Sequence, residues 1–128
     1  MPITAMNHFT IIAEDLDATR RFYSEILGLT EGDRPPLPFP GIWFYVGDQA
    51  VLHVVGGRAL PDERAGVLDH MAFTTTGLAE TERRMQAHGI DYKLAPQVGS
   101  GIWQMFFLDP NGAKVELNFD PAEQRLAP

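Results

Sequence analysis

The sequence predicts an α+β protein made of two successive βαβββ modules. Each half of the chain contains short segments of alternating apolar and polar residues around one segment with helical spacing. The two halves also repeat each other: His70 follows His8 by 62 positions, and the tripeptide GIW occurs at 41–43 and again at 101–103. A repeat of this length is typical of duplicated structural units.

The chain length of 128 residues suits a single domain. A stretch rich in Gly, Pro and charged residues, GRALPDERAG, separates the two halves and is typical of a linker. The predicted parts are module one at about 4–57, a linker at about 58–66, module two at about 67–120 and a C-terminal tail at 121–128.

Module one begins with an alternating segment at 6–13, which predicts the first strand. The following EDLDATRRFYSEILGL predicts a helix, with Asp15 or Asp17 as its N-cap and Gly28 as its left-handed end. The Pro-rich stretch at 34–41 cannot form regular structure and predicts a loop. The other strands are expected near Leu29–Gly32, at GIWFYV and at AVLHVV, with a hairpin turn at Gly47-Asp48-Gln49.

Module two repeats this order. VLDHMAFTT alternates as the first strand does, and GLAETERRMQAHG is an amphipathic helix that ends at Gly89. Three further strands are predicted by IDYKLAP and by the two halves of GIWQMFFLDPNGAKVELNF. The turn between those halves is Asp109-Pro110-Asn111-Gly112.

The charge and composition exclude several classes of function. The formal net charge is −7 with a sequence pI of about 4.9, and no basic stripe is present, so nucleic acid is not an expected partner. The absence of cysteine excludes disulfides, thiolate metal sites and a cysteine nucleophile. We find no signal-peptide pattern and no apolar run near the roughly 20 residues that span a bilayer. A cytoplasmic protein without membrane contact is therefore expected.

Four polar residues fall at equivalent places in the first and last strands of the modules: His8, His53, His70 and Glu116. His53 follows His8 by 45 positions, and Glu116 follows His70 by 46. Strand alternation leaves apolar residues on the opposite face, which predicts that one face is core and the other carries these four. Imidazole and carboxylate groups bind divalent ions, and burying ionisable groups without a partner is costly. We therefore predict a metal site.

One further histidine and four aromatic residues are expected to have mainly structural positions. His88 lies in the last turn of a helix, where a surface histidine interacts favourably with the helix dipole. Trp43, Phe44, Trp103 and Phe106 lie on the third strands of the modules. Most are expected in the core or at a dimer contact, and some to line an apolar substrate pocket.

At these residues the sequence resembles the vicinal oxygen chelate superfamily, also called the glyoxalase, bleomycin-resistance and extradiol dioxygenase family. The resemblance extends over nearly the whole chain, and its specific parts are DLDATRRFY…LGL and DPNGAKVEL. It implies that the two modules form a cupped, open β-barrel around one divalent ion, whose identity (Fe, Ni, Zn, Mn or Co) stays open. It also implies a homodimer in which His8 and His53 of one chain can meet His70 and Glu116 of the other.

Members similar to extradiol dioxygenases bind iron with two His and one Glu, which His8, His70 and Glu116 match. The resemblance to them also implies a Tyr at the position of Phe106 and a His at the position of Gln97. Both groups are absent from this sequence. An Fe(II) dioxygenase is therefore an alternative and not the leading hypothesis.

Members similar to glyoxalase I and methylmalonyl-CoA epimerase use all four positions to move a proton alpha to a carbonyl while the metal stabilises the enediolate. This resemblance implies Glu116 as a metal ligand and catalytic base. It leaves His53, which replaces the usual Glu or Gln, as a fourth ligand or a second base. The leading hypothesis is thus a lyase, isomerase or epimerase whose small substrate chelates the ion through adjacent oxygens.

Two further alternatives follow from the same resemblance. Thr10, Ser100 and Arg125 fall where fosfomycin thiol transferases have phosphonate-binding residues, although Pro96 stands in the region of their Lys and Phe106 replaces their Tyr. A bleomycin-type binding protein without catalysis is the non-enzyme alternative. The candidate substrate-binding residues are Thr10, Ser100, Trp103, Phe106 and Arg125.

Overall fold

The structure, a computed structural model, describes residues 2–127. The chain divides into two compact units, Met1–Arg64 (unit 1) and Ala65–Pro128 (unit 2), and the division falls inside the predicted linker. Unit 1 contains β1 (Phe9–Ile12), α1 (Leu16–Arg21), a π-helical segment (Phe22–Ile26), β2 (Thr30–Gly32), β3 (Gly41–Val46) and β4 (Gln49–Val55). Unit 2 contains β5 (Met71–Thr74), α2 (Leu78–Ala87), β6 (Lys93–Pro96), β7 (Trp103–Leu108) and β8 (Lys114–Phe119). The predicted α+β class and the two βαβββ modules are confirmed.

The sheet of unit 1 has the strand order β1-β4-β3-β2. β4 is parallel to β1 and antiparallel to β3, so that both Thr10 and Trp43 pair with His53. These three residues share one face of the sheet, which we call the His53 face. The other face packs against the helical segments, as the contact between Tyr23 and Phe44 shows. Its buried core consists of Ala13, Phe22, Tyr23, Ile26, Ile42, Phe44, Leu52 and Val54.

The helical region of unit 1 begins and ends as predicted but changes type midway. Asp15 is the N-cap and accepts a hydrogen bond from the Ala18 N–H at 3.0 Å, and Gly28 follows the last turn with φ of 79°. The predicted helix is α-helical only over its first part, because Phe22–Ile26 is π-helical and the Leu27 N–H bonds to the Phe22 carbonyl five residues back. The wider turn buries two adjacent aromatic side chains together. Among residues 2–127, no helix is long and apolar enough to cross a membrane.

The sheet of unit 2 repeats this arrangement with the order β5-β8-β7-β6. β8 is parallel to β5 and antiparallel to β7, so that both Ala72 and Phe106 pair with Glu116. We call the side of the sheet that bears Gln104, Phe106 and Glu116 the Glu116 face. The opposite face is the core that packs with α2, and its buried residues are Met71, Leu78, Met85, Met105, Phe107, Val115, Leu117 and Phe119.

The strand registers confirm that His53 and Glu116 are equivalent, because Thr10–His53 and Ala72–Glu116 are matching pairs. They also correct the use of the GIW tripeptide as a repeat marker. Phe106, and not Trp103, stands opposite Glu116 as Trp43 stands opposite His53. Trp103 pairs with the buried Phe119 and therefore lies on the other face of its sheet. Strand alternation, and not local sequence identity, determines the correspondence.

The C-terminal tail of unit 2 is held by hydrogen bonds to α2 and β7. Glu123 accepts from the backbone N–H groups of Gly77 and Leu78 at the start of α2, and its own carbonyl accepts from Trp103 Nε1 at 3.0 Å. Further along, the Leu126 N–H donates to the buried carboxylate of Glu82 at 2.6 Å. The tail thus satisfies donors that the helix terminus and the strand would otherwise leave unpaired.

The ionisation of Tyr92 is expected to make the free energy of unfolding depend on pH in the alkaline range. Its hydroxyl donates to Glu82 Oε2 at 2.7 Å, and burial, followed by this hydrogen bond, raises the pKa of Tyr92. The unfolded state ionises near pH 10 while the folded state stays protonated. The stabilisation is therefore complete below that pH and is lost as the pH rises through the folded-state pKa. Urea unfolding from pH 8 to 11 should show the stability gap between wild type and Tyr92→Phe narrowing above about pH 10, and a constant gap would contradict this.

Candidate functional site

Unit 2 places a histidine and a buried carboxylate in direct contact. His70 lies one residue before β5, and its Nε2 is 3.0 Å from Oε1 of Glu116 on β8. Only 6% of Glu116 is exposed. Its other oxygen, Oε2, accepts a hydrogen bond from Gln104 Nε2 at 3.1 Å. The carboxylate is thus oriented by β7 while it faces the imidazole.

The other ring nitrogen of His70 is held by an acidic neighbour. Nδ1 lies 2.8 Å from Oδ2 of Asp69, which also accepts from Lys114 Nζ at 3.2 Å. The hydrogen bond from His70 and then the contacts with Lys114 lower the pKa of Asp69, so Asp69 is an ionised acceptor at neutral pH. A proton on Nδ1 leaves Nε2 as an acceptor, which is the arrangement in which carboxylates orient metal-binding histidines.

The contact between His70 and Glu116 needs a proton or a metal ion between the two atoms. With Nδ1 protonated, Nε2 and an ionised Oε1 are both acceptors at 3.0 Å, and two acceptors at that distance repel unless a proton or a metal ion lies between them. Donor atoms bound to one divalent ion at about 2.0–2.2 Å lie about 3 Å apart when their bonds meet near a right angle. The pair fits a divalent metal in both chemistry and spacing.

Unit 1 places its two histidines in a stack of three rings. The His53 ring lies parallel to His8 at 3.7 Å and parallel to Trp43 at 3.8 Å, each with an angle of 12° between the planes. His8 lies one residue before β1, and its Nδ1 is 2.6 Å from Oδ1 of Asn7. Burial, and then the charges of His8 and Arg34, lower the pKa of His53. A neutral imidazole results, which is the form that binds a metal.

Each unit contributes a pair of the predicted ligands. Neither unit by itself, within residues 2–127, gathers three His, Asp or Glu side chains that could hold an ion. The sequence identified the four residues but missed their supporting groups, which are Asn7, Asp69 and Gln104. Asn7 and Asp69 directly precede His8 and His70. This shared pattern of an Asn or Asp before a His could have predicted these two supporting residues.

The predicted substrate-binding residues are scattered. Thr10 is exposed on the His53 face, and Phe106 lies on the Glu116 face with its ring 5.7 Å from that of His70. Ser100 lies in the loop before β7 and donates to Gln97 at 2.5 Å. Trp103 and Arg125 line a cavity of about 700 Å³ beside α2 and the tail. The structure does not bring these last two to Glu116.

His88 is exposed at the C-cap of α2, in agreement with its predicted structural position.

Two repeated βαβββ units, one with a His–His pair and the other with a His–Glu pair, define a protein class in which duplicated modules carry ligands suited to a divalent metal. The chain belongs to the Glyoxalase/Bleomycin resistance protein/Dioxygenase superfamily, which it matches over residues 5–117.

Proteins similar to this chain include a glyoxylase and two fosfomycin-related proteins. Glyoxylase I 4 of Arabidopsis thaliana is 28% identical over 123 residues, which are 90% of this chain and 70% of that protein. Glutathione transferase FosA of Serratia marcescens is 29% identical over 134 aligned positions, covering 98% of this chain and 87% of that one. A mutant of the fosfomycin resistance protein FosX from Listeria monocytogenes, complexed with Mn(II) and 1S,2S-dihydroxypropylphosphonic acid, has the same fold. Its TM-score is 0.75 at 23% identity, over 97% of this chain and 98% of that one.

Proposed function

We propose that the protein is a divalent-metal-dependent enzyme that transfers a proton on a small substrate chelated through adjacent oxygens. The reaction class is that of a lyase, isomerase or epimerase. The observation that carries the proposal is the contact of His70 Nε2 with the buried Glu116 Oε1 at 3.0 Å, an imidazole nitrogen and a carboxylate oxygen at the spacing of two ligands of one divalent ion. The Mn(II) in the FosX complex supports a divalent ion in this fold.

His70 and Glu116 are proposed as two of the ligands, and His8 and His53 as the others. The two pairs come from one chain or from two chains of a homodimer, as the family resemblance implies. A bound ion would act as a Lewis acid on a substrate oxygen. In unit 2, Asp69 keeps the His70 ring in the metal-binding tautomer, and in unit 1 the lowered pKa of His53 keeps that ring neutral.

Glu116 is the proposed base that removes the substrate proton. It is buried, and Gln104 holds Oε2 while Oε1 faces the ligand side. Because Oε1 is also the proposed metal ligand, it would leave the ion to accept the proton, while Gln104 holds the carboxylate in place through Oε2. The ring of Phe106 stands opposite Glu116 and limits the access of water to the carboxylate.

The position of Phe106 also bears on the dioxygenase alternative. The resemblance to extradiol dioxygenases implies a Tyr at this position, and the structure places Phe106 beside His70 on the Glu116 face. A phenyl ring has no proton to give or accept. This observation supports proton transfer over oxygen insertion, in line with the enzyme name of the Arabidopsis relative.

A fosfomycin-type thiol transferase is the second candidate. It is supported by the FosA relative, which aligns with 98% of this chain, and by Thr10, which is exposed on the His53 face. The positions of Ser100 and Arg125 support it less, because Ser100 bonds to Gln97 and Arg125 lies 3.7 Å from Glu82. Incubation with fosfomycin and glutathione, followed by mass spectrometry of the adduct, distinguishes this reaction from proton transfer.

Metal analysis and isotope exchange test the proposal together. Protein purified without chelator should contain a divalent ion or bind one from added Ni, Zn, Mn or Fe. In D₂O it should then exchange the C–H next to the carbonyl of α-hydroxycarbonyl compounds, as followed by NMR. Oxygen uptake with catechols would instead favour the dioxygenase. A folded protein that binds none of these ions would contradict the metal proposal. Tight binding of a small molecule without turnover would favour a bleomycin-type binding protein.

Asp69→Ala is expected to weaken metal binding by about 10- to 100-fold, because the replacement releases the His70 ring from its orienting hydrogen bond. The fold should be unaffected, since Asp69 is exposed. Isothermal titration with Mn(II) or Zn(II) measures the affinity. Asp62→Ala, which removes an exposed carboxylate from unit 1, is the matched control and should bind as wild type does. Equal affinities for the two variants would show that Asp69 does not orient the ligand.

A further inference from the structure

Arg34 carries a buried donor that has no partner. It lies in the Pro-rich loop between β2 and β3, where its Nη2 donates to the Phe39 carbonyl at 2.8 Å and its guanidinium lies 5.1 Å from the centre of the Phe39 ring. Its Nε is buried and makes no hydrogen bond. In the part of the chain that the structure describes, Arg34 forms no ion pair with a carboxylate. The residue as a whole is half-buried, and a buried donor without a partner is costly to maintain.

Gly41 shows where this guanidinium lies. A Cβ added at Gly41 would come within 2.9 Å of Nη2 and 3.0 Å of Nε of Arg34. The nearest atom to that added Cβ is the carbonyl oxygen of Val54 on β4, so the guanidinium packs against the backbone at the start of β3. Trp43 pairs with His53 and stacks on its ring. The guanidinium therefore lies beside β3, two residues along the strand from the ring that stacks on His53.

The chemistry of this position is that of an anion receptor. A guanidinium presents its donors in a planar fork that matches carboxylate, phosphate and phosphonate oxygens. Prolines at 35, 36, 38 and 40 restrict the loop, so that little conformational entropy remains to be lost on binding. The absence of a Cβ at Gly41 leaves the space that the fork occupies. The stretch at 34–41 was predicted as a loop, and no role was expected for Arg34.

We propose that Arg34 binds an oxyanion group of the substrate, a carboxylate or a phosphonate, beside the His8–His53 pair. This inference rests on the proposed function, because it assigns part of the same substrate to a residue outside the ligand set. Arg34 would then select anionic substrates over neutral ones.

NMR of the metal-free chain tests this directly, because the Arg34 Nε–H gives its own signal. Methylphosphonate and acetate are the two probes, and acetamide is the neutral control. We expect a saturable shift of the Arg34 Nε–H with at least one anion and none with acetamide. Affinity for that anion should fall by about 10- to 100-fold in Arg34→Gln and by less in Arg34→Lys, which keeps the charge but loses the fork. Arg83→Gln, which removes an exposed helix arginine paired with Glu80, should bind as wild type does.

The outcomes separate this inference from the proposed function. Because the titration uses neither metal nor turnover, a shift at Arg34 supports the oxyanion site even if the chain binds no metal. A response only to methylphosphonate or only to acetate supports it and identifies the source of the oxyanion. No saturable shift with either anion, or equal affinity in Arg34→Gln with the rest of its spectrum unchanged, overturns it even in an active metalloenzyme.

Discussion

Replacing Glu116 by glutamine is expected to lower kcat by about 10²- to 10⁴-fold, the range that a positioned general base supplies. The same change removes the anionic charge from one proposed metal ligand. Wild-type protein in Mn(II) or Zn(II) at about 100 times its Kd should gain about 2.7 kcal/mol, which corresponds to about 10 °C in Tm for a chain of this size. Glu116→Gln should lose most of this gain, as thermal unfolding with and without metal would show.

The stability of the metal-free protein provides a second test of the role of Glu116. His70 Nε2 and Glu116 Oε1 are 3.0 Å apart, and a glutamine at 116 can donate its N–H₂ to that nitrogen. The metal-free variant should therefore be at least as stable as the metal-free wild type. Glu80→Gln changes an exposed carboxylate on α2 and is the control for lost charge. Wild-type metal affinity in Glu116→Gln would remove Glu116 from the ligand set.

The features that the sequence predicted correctly depend on local patterns. Strand alternation and helix spacing act over a few residues, and so do the cap at Asp15 and the left-handed Gly28. The duplicated pattern extended this to the site, because equivalent strand positions contain His53 and Glu116. These predictions needed no knowledge of which strands are neighbours.

The missed features depend on register and on distant contacts. Gln104 reaches Glu116 only because β7 pairs with β8 in one particular register. Trp103 was expected near the substrate, but the same register turns it to the opposite face. Arg34 lies against Gly41, seven positions further along the chain, because the loop between β2 and β3 returns to the start of β3. A one-residue change in register reverses which face a side chain occupies, and nothing in the local sequence encodes that choice.

Glu82 in unit 2 is the missed residue with the largest expected effect on stability. Its carboxylate, on a residue that is 2% exposed, accepts hydrogen bonds from Tyr92 OH at 2.7 Å and from the Leu126 N–H at 2.6 Å. The Leu126 donor lies 44 positions away in the tail, so the sequence of α2 alone makes Glu82 look like one more polar residue of an amphipathic helix. In the structure, Glu82 is one of the groups that hold the tail, together with Glu123.

Glu82→Ala is expected to lower the free energy of unfolding by about 3 kcal/mol, because it leaves two donors unsatisfied at about 1–3 kcal/mol each. This corresponds to a fall of about 10 °C in Tm for a chain of this size. Thermal and urea unfolding measure both quantities. Hydrogen exchange should also show faster exchange at Leu126 and its neighbours, since this end of the tail loses its hydrogen bond to α2 while Glu123 keeps its own.

Two further variants show whether the lost hydrogen bonds are the cause. Glu80→Ala changes an exposed carboxylate on the same helix, and its effect should stay below about 0.5 kcal/mol. Adding Tyr92→Phe to Glu82→Ala removes one of the two unsatisfied donors, so the double variant should be more stable than the sum of the single changes predicts. Strictly additive effects would mean that Tyr92 and Glu82 act independently, and the 2.7 Å hydrogen bond between them would not account for the stability that Glu82 provides.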